Sequence, residues 1–156
     1  AAVNALADVI MYGTLATETL SQDELEAIGI TGVDSDNFEL IVNQIETGEL
    51  NAIADIQAAV DGLNAILEDI HGNEDGTLAS AEAINQLAGI DDATVSNERL
   101  YAEAFGNLDG DTLTHQDLIE VVAAVNAAMT SCRRRTYASA AWIEAHADGR
   151  LGLGAR

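Results

Sequence analysis

The sequence predicts an all-α protein, built of tandem three-helix modules packed end to end. Three observations carry this expectation. The chain repeats itself, its apolar residues follow helical spacing in almost every segment, and no segment alternates as a strand would. Residues 22–62 reappear, diverged, about 60 residues later. Gly29, Ile30, Asn37, Leu40, Ile41 and Ile45 align with Gly89, Ile90, Asn97, Leu100, Tyr101 and Phe105 at an offset of 60. Further on, the best match shifts to an offset of 65, where Ala58-Ala59-Val60-Asp61 faces Ala123-Ala124-Val125-Asn126. Ala1-Ala2-Val3-Asn4 repeats the same pattern 57 residues before Val60, so the chain is expected to begin inside a third copy and to belong to something longer. A module of this size buries only about 60% of its unfolded surface and is marginal alone. Stacked neighbours relieve that shortage.

Each element follows from local chemistry. Residues 2–12 are Ala-rich and read as a helix. Ser21 with Glu24 has capping-box spacing and starts a helix over 22–28, which Gly29 ends in the left-handed C′ position. Asp34 or Ser35 caps the next helix, 35–46, whose stripe is Phe38, Ile41, Val42 and Ile45. Ile53, Ile56, Val60, Leu63, Leu67 and Ile70, spaced 3-4-3-4-3, form the seam of a long helix over 50–70. The second copy gives helices over 79–88, closed by Gly89, and 95–105, capped by Thr94 or Ser96. Thr114 with Asp117 repeats the capping box and starts 115–130, with Leu118, Val121, Val125 and Ala128 on one face. A last helix is placed over 136–146. The domain reading is therefore 1–20, the last helix of a preceding repeat and its connector; 21–72, module 1; 73–131, module 2; and 132–156, a basic C-terminal tail or helix of separate character.

Apolar residues make up 48% of the 156, enough for a core, and aromatics only 4%, so that core is aliphatic. The net charge of −21 is uneven. Residues 1–131 hold 25 of the 27 acids and one base, Arg99, a net −24. Residues 132–156 hold five arginines against Glu144 and Asp148, a net +3. The acidic body would be repelled by phosphate, so no nucleic-acid partner is expected, and none through an anionic membrane surface. A solvated acidic face is the plain reading of that charge. There is neither a signal-peptide pattern nor an apolar run near 18 residues, so no membrane insertion is expected. The single cysteine, Cys132, forms no internal disulfide. The tail has three readings: a helix lying against the acidic body, an interaction segment, or a stretch foreign to the repeats.

The segment Glu26-Ala-Ile-Gly-Ile-Thr-Gly-Val-Asp-Ser-Asp-Asn-Phe-Glu-Leu-Ile-Val-Asn-Gln-Ile, followed by Ala54-Asp-Ile-Gln-Ala-Ala-Val, resembles a tandem helical repeat of very large bacterial surface proteins, some of them adhesin-like. Ile10 and Tyr12 fit the end of a preceding copy, and the likeness covers residues 1–130. In the second copy Asp91-Asp92-Ala93 replaces the Thr-Gly-Val of the turn. This resemblance implies a secreted or cell-surface, non-enzymatic spacer whose partners are neighbouring repeats of the same chain, with a host or matrix protein as a further partner. A looser similarity to albumin-binding three-helix modules implies a protein-binding surface as another alternative.

Two loops carry the only spacing that suggests a site. In His71-Gly-Asn-Glu-Asp-Gly-Thr-Leu-Ala-Ser-Ala-Glu82, residues Asn73, Asp75, Gly76, Leu78 and Glu82 occupy EF-hand positions 3, 5, 6, 8 and 12. His71 stands where an Asp should begin the cage. In the second loop Asn107, Asp109 and Asp111 supply oxygens at positions 1, 3 and 5, the Gly of position 6 is missing, and Asp117 falls one residue early. Asn73, Asp75, Glu82, Asn107, Asp109, Asp111 and Asp117 are thus the candidate calcium ligands, and calcium the one candidate cofactor. The competing reading is two polar turns, with Asp and Gly chosen for turn geometry. No phosphate loop, paired-Cys motif or nucleophile elbow is present, and His71, His115 and His146 lie far apart in sequence, so no enzyme is expected.

Overall fold

The computed structural model describes residues 20–47, 49–50, 52–73 and 76–147, with backbone alone at 139 and 141–147. The helix expected over 2–12 lies outside the described residues, as does Asp75. The described residues are all-α: α1 (Gln22–Ala27), α2 (Phe38–Glu46), α3 (Ile53–Ile70), α4 (Ala81–Ile84), α5 (Glu98–Phe105) and α6 (His115–Ala147), with single 3₁₀ turns at Val95–Asn97 and Gly110–Thr112.

The caps expected at α1, α2 and α6 are formed, but neither Thr94 nor Ser96 caps α5, whose N-cap is Asn97 with no side-chain cap bond. Ser21 and Glu24 form a reciprocal capping box on α1. Gly29, at φ +97°, lets the Ile30 amide reach back to the Leu25 carbonyl at 3.1 Å, a Schellman closure. Asp34 Oδ1 accepts from the amides of Asp36 and Asn37 just before α2. Thr114 and Asp117 form the second box, at the start of α6.

One apolar cluster runs through these helices, from Leu20 to Val122. Helix α3 is its centre. Ile56, Val60, Leu63 and Ile66 are 0% exposed, and α3 packs against α2, α4 and α5. Its contact with α4 is close enough to exclude a methyl group. A Cβ on Gly62 would lie 2.3 Å from the Ala83 carbonyl oxygen. Gly62→Ala therefore forces α3 and α4 apart. It is expected to lower stability by about 1–3 kcal/mol in urea titration, although alanine is the better helix former.

Helices α2, α3 and α5 each begin three residues later than expected, at 38, 53 and 98 instead of 35, 50 and 95. Three further expectations need correction. Helix α4 covers 81–84 instead of 79–88. Asn85 leaves the helix to bind the Ala93 backbone through both amide atoms, and the Ala88 amide goes to Gln44 Oε1, so tertiary bonds replace the helical ladder. The offset of the long helices is 62, not 65. The pair Asn37–Asn64 on the Gly32 carbonyl recurs as Asn97–Asn126 on the Asp92 carbonyl region, and Ile56 and Val60 find their buried counterparts in Leu118 and Val122. An Ala/Val-rich helix slips by three residues on paper because its side chains hardly differ. Lastly, α6 runs unbroken for 33 residues, where two helices were expected. Helix α3 stops at a Schellman turn with Gly72 at φ +103°. The matching position of α6 is Arg134, and no Gly or Pro follows before residue 147.

The core-facing stripe of α6 ends at Met129, and residues 130, 131–138 and 140 are all exposed. Over those residues the tail does not lie against the body. Truncation after Ser131 is accordingly expected to leave helical circular dichroism per body residue intact and to change stability by less than about 0.5 kcal/mol.

Candidate functional site

The two acidic loops meet. His71 caps the C-terminus of α3, and a Cβ on Gly110 of the second loop would sit 3.2 Å from its Nε2. Between the loops and the start of α2 lies an open cleft of about 280 Å³. Leu40, Leu67 and Leu113 form its floor, and Asp36, Glu39 and Asp111 its rim.

The first loop is held by Asp69, which the sequence reading did not single out. This residue is 5% exposed. Oδ2 accepts from the Ala79 amide and Oδ1 from Asn73 Nδ2, each at 3.0 Å, which closes the loop back on α3. Burial raises the Asp69 pKa above 3.8, opposed by these two bonds. Nothing in the sequence marks this aspartate off from its 26 acidic neighbours; only the fold buries it. Asn73 stands in the left-handed region at φ +46°, and its Oδ1 is buried with no protein partner. Glu82 lies exposed on α4, while the α4 cap comes from Ser80, and Glu98 Oε1 accepts the Ala81 amide at 2.7 Å.

In the second loop Asn107, Asp109 and Asp117 make local bonds. Asn107 donates to the Glu103 carbonyl, Asp109 Oδ1 accepts the Asp111 amide, and Asp117 Oδ2 accepts both the amide and the hydroxyl of Thr114. The Thr114 bonds hold the Asp117 carboxyl below its usual range. Asn107 lies in the turn that closes α5, Asp109 and Asp111 lie at the 3₁₀ turn after it, and Asp117 is drawn into the first turn of α6. Among the described residues, no three His, Cys, Asp or Glu side chains form a group that could hold a metal ion.

A second polar joint lies where α2, the turn after α4 and the start of α6 meet. Gln44, 0% exposed, accepts the Ala88 amide, and Glu49 Oε2 accepts the Gly89 amide at 2.6 Å. His115 Nε2 lies 2.8 Å from the Ala88 carbonyl, so Nε2 carries the proton and the buried Nδ1 is left without a partner. Burial lowers the His115 pKa below 6.5, against the raising effects of the Ala88 bond and the Glu49 charge. The unfolded chain thus binds the proton first. The stability linked to His115 is full above about pH 6.5 and is lost as pH falls toward the lower folded pKa. Between about pH 7.5 and 5 the thermal midpoint of the wild type should fall more than that of His115→Gln. An equal fall in both would remove His115 as the cause. Asp69, with its raised pKa, works in the opposite direction nearer 3.8. No family model, no curated protein and no solved structure matches the chain.

Proposed function

We propose that this chain is a non-enzymatic structural segment of stacked three-helix units, part of a secreted or cell-surface protein, in which each unit is completed by the next. The observation that carries this reading is the unequal burial of equivalent helices. On α3, Gly62 and Ile66 are buried, Gly62 against the α4 backbone. At the offset of 62 their counterparts on α6 are Ala124 and Ala128, which are exposed. Helix α3 is covered by the unit after it, whereas α6 offers the same kind of small-residue surface to a further unit. The placement outside the cell rests on the resemblance to bacterial surface repeats.

The test is a chain in which residues 71–131 follow Cys132, so that Gly72 ends the long helix and a third unit begins. The thermal midpoint should rise, and small-angle scattering should show the longest dimension growing by one constant step. An added unit that melts independently at a lower temperature would refute stacking.

One observation favours a second reading, calcium at the 71–82 loop: the buried, unpartnered Asn73 Oδ1 at EF-hand position 3. With few ligands, affinity would be weak, on the order of 10⁻⁴–10⁻³ M. Calorimetric titration should then show His71→Asp tightening binding and Glu82→Ala with Asp75→Ala abolishing it. Responses equal for magnesium and indifferent to these changes would remove calcium.

A further inference from the structure

The exposed end of α6 and the cleft between the loops have opposite charge and cannot meet within one molecule. Arg133, Arg134 and Tyr137 lie on neighbouring turns, where i, i+3 and i, i+4 positions share a face. Tyr137 is 76% exposed, and the three arginines 133–135 are all exposed. The cleft is lined mostly by polar atoms, His71 among them, over three largely covered leucines, and it offers three exposed carboxylates for guanidinium groups. Leu113 of that cleft lies two residues before α6, whereas Arg133 lies 18 residues beyond the first residue of α6, about 27 Å along a continuous helix.

We propose that the Arg133–Tyr137 segment of one copy docks into the Asp36/Glu39/Asp111 cleft of a second copy, so that copies associate head to tail. The contact uses different surfaces on the two partners. It therefore leaves a free cleft and a free tail at the ends of any assembly and generates open chains. Charge complementarity steers the encounter, since the tail carries the positive charge and the body a net −24 over residues 1–131. The proposal needs neither calcium nor a third stacked unit.

Sedimentation velocity of the full chain over a concentration series tests it, at about 0.01 M and about 1 M monovalent salt, where the Debye length is ~30 Å and ~3 Å. Mean sedimentation should rise with concentration at low salt and stay at the monomer value at high salt. Two charge-reversed proteins sharpen the result. Arg133→Glu/Arg134→Glu/Arg135→Glu reverses the tail, and Asp36→Lys/Glu39→Lys/Asp111→Lys reverses the cleft. Each alone should be monomeric at low salt with wild-type circular dichroism, and an equimolar mixture should associate again. If the cleft variant loses its fold, the tail variant with the salt series still decides the question. A wild type that stays monomeric at low salt, association that survives high salt or either reversal, or a mixture of folded variants that stays monomeric would each overturn the proposal.

Discussion

Leu63→Asp is expected to unfold the protein, or to bring it close to unfolding, at neutral pH. Leu63 sits at the middle of α3 and is 0% exposed. Losing the leucine forfeits about 1.5–3 kcal/mol of apolar burial. The carboxylate that replaces it has no cation in the aliphatic cluster, so the charge adds several kcal/mol or forces its own protonation. Total stability of a domain is about 5–15 kcal/mol, so one substitution takes a large share of it. Ile53→Asp is the control. It belongs to the same seam but is 46% exposed, and it should cost less than about 1 kcal/mol. Urea titration followed by circular dichroism reads both. A wild-type midpoint for Leu63→Asp would mean that this face of α3 is not packed.

That contrast shows what the sequence makes legible. Period identifies α3 and the buried run Ile56, Val60, Leu63 and Leu67, because a helix repeats its face every three or four residues. It does not reveal that Ile53 emerges from the core at the first turn, since burial there depends on what the fold places opposite. Both capping boxes and the Gly29 stop were visible for a similar reason: the chemistry lies within four residues. Gly89 closes no helix, because α4 has already ended at Ile84. That early end of α4 was not visible, because Asn85 and Ala88 find their partners at Ala93 and Gln44. In the loops, spacing identified oxygen-bearing residues. It could not show that Asp109, Asn107 and Asp117 bond within their own turns, or that Asp69, from outside either motif, would anchor the first loop. The continuous α6 follows from an absence that was readable, the missing C′ glycine at 134, but only once the offset of 62 was known.

Asn37→Ala should be the costliest polar substitution, and costlier than Asn97→Ala at the equivalent position. Asn37 is 0% exposed. Its Nδ2 donates to the Gly32 carbonyl and to Asn64 Oδ1, both at 2.7 Å, and its Oδ1 accepts the Asp34 amide at 2.9 Å. These bonds tie the Gly32 turn, the start of α2 and the middle of α3 into one joint. Alanine leaves Asn64 Oδ1 without its donor and the Asp34 amide without its acceptor, and it opens a small void; the Gly32 carbonyl keeps Asn64 Nδ2 at 2.9 Å. Asp34 is exposed, so water can take its amide; the orphaned Asn64 oxygen, at about 1–3 kcal/mol, and the void together give a loss of about 2–4 kcal/mol. The second joint is built differently. Tyr101, which stands where Ile41 stands in the first, donates its hydroxyl to Asn126 Oδ1, so that oxygen stays satisfied when the 3.2 Å bond from Asn97 is removed. Asn97→Ala alone should therefore cost about 1–2 kcal/mol less than Asn37→Ala. With Tyr101→Phe already in place that protection is gone, and adding Asn97→Ala should cost more than it does in the wild type. The double-mutant cycle, read by urea titration, should give a coupling of about 0.5–3 kcal/mol. Additive losses would mean that Tyr101 and Asn97 hold Asn126 independently, and equal losses at 37 and 97 would mean that the hydroxyl provides no substitute.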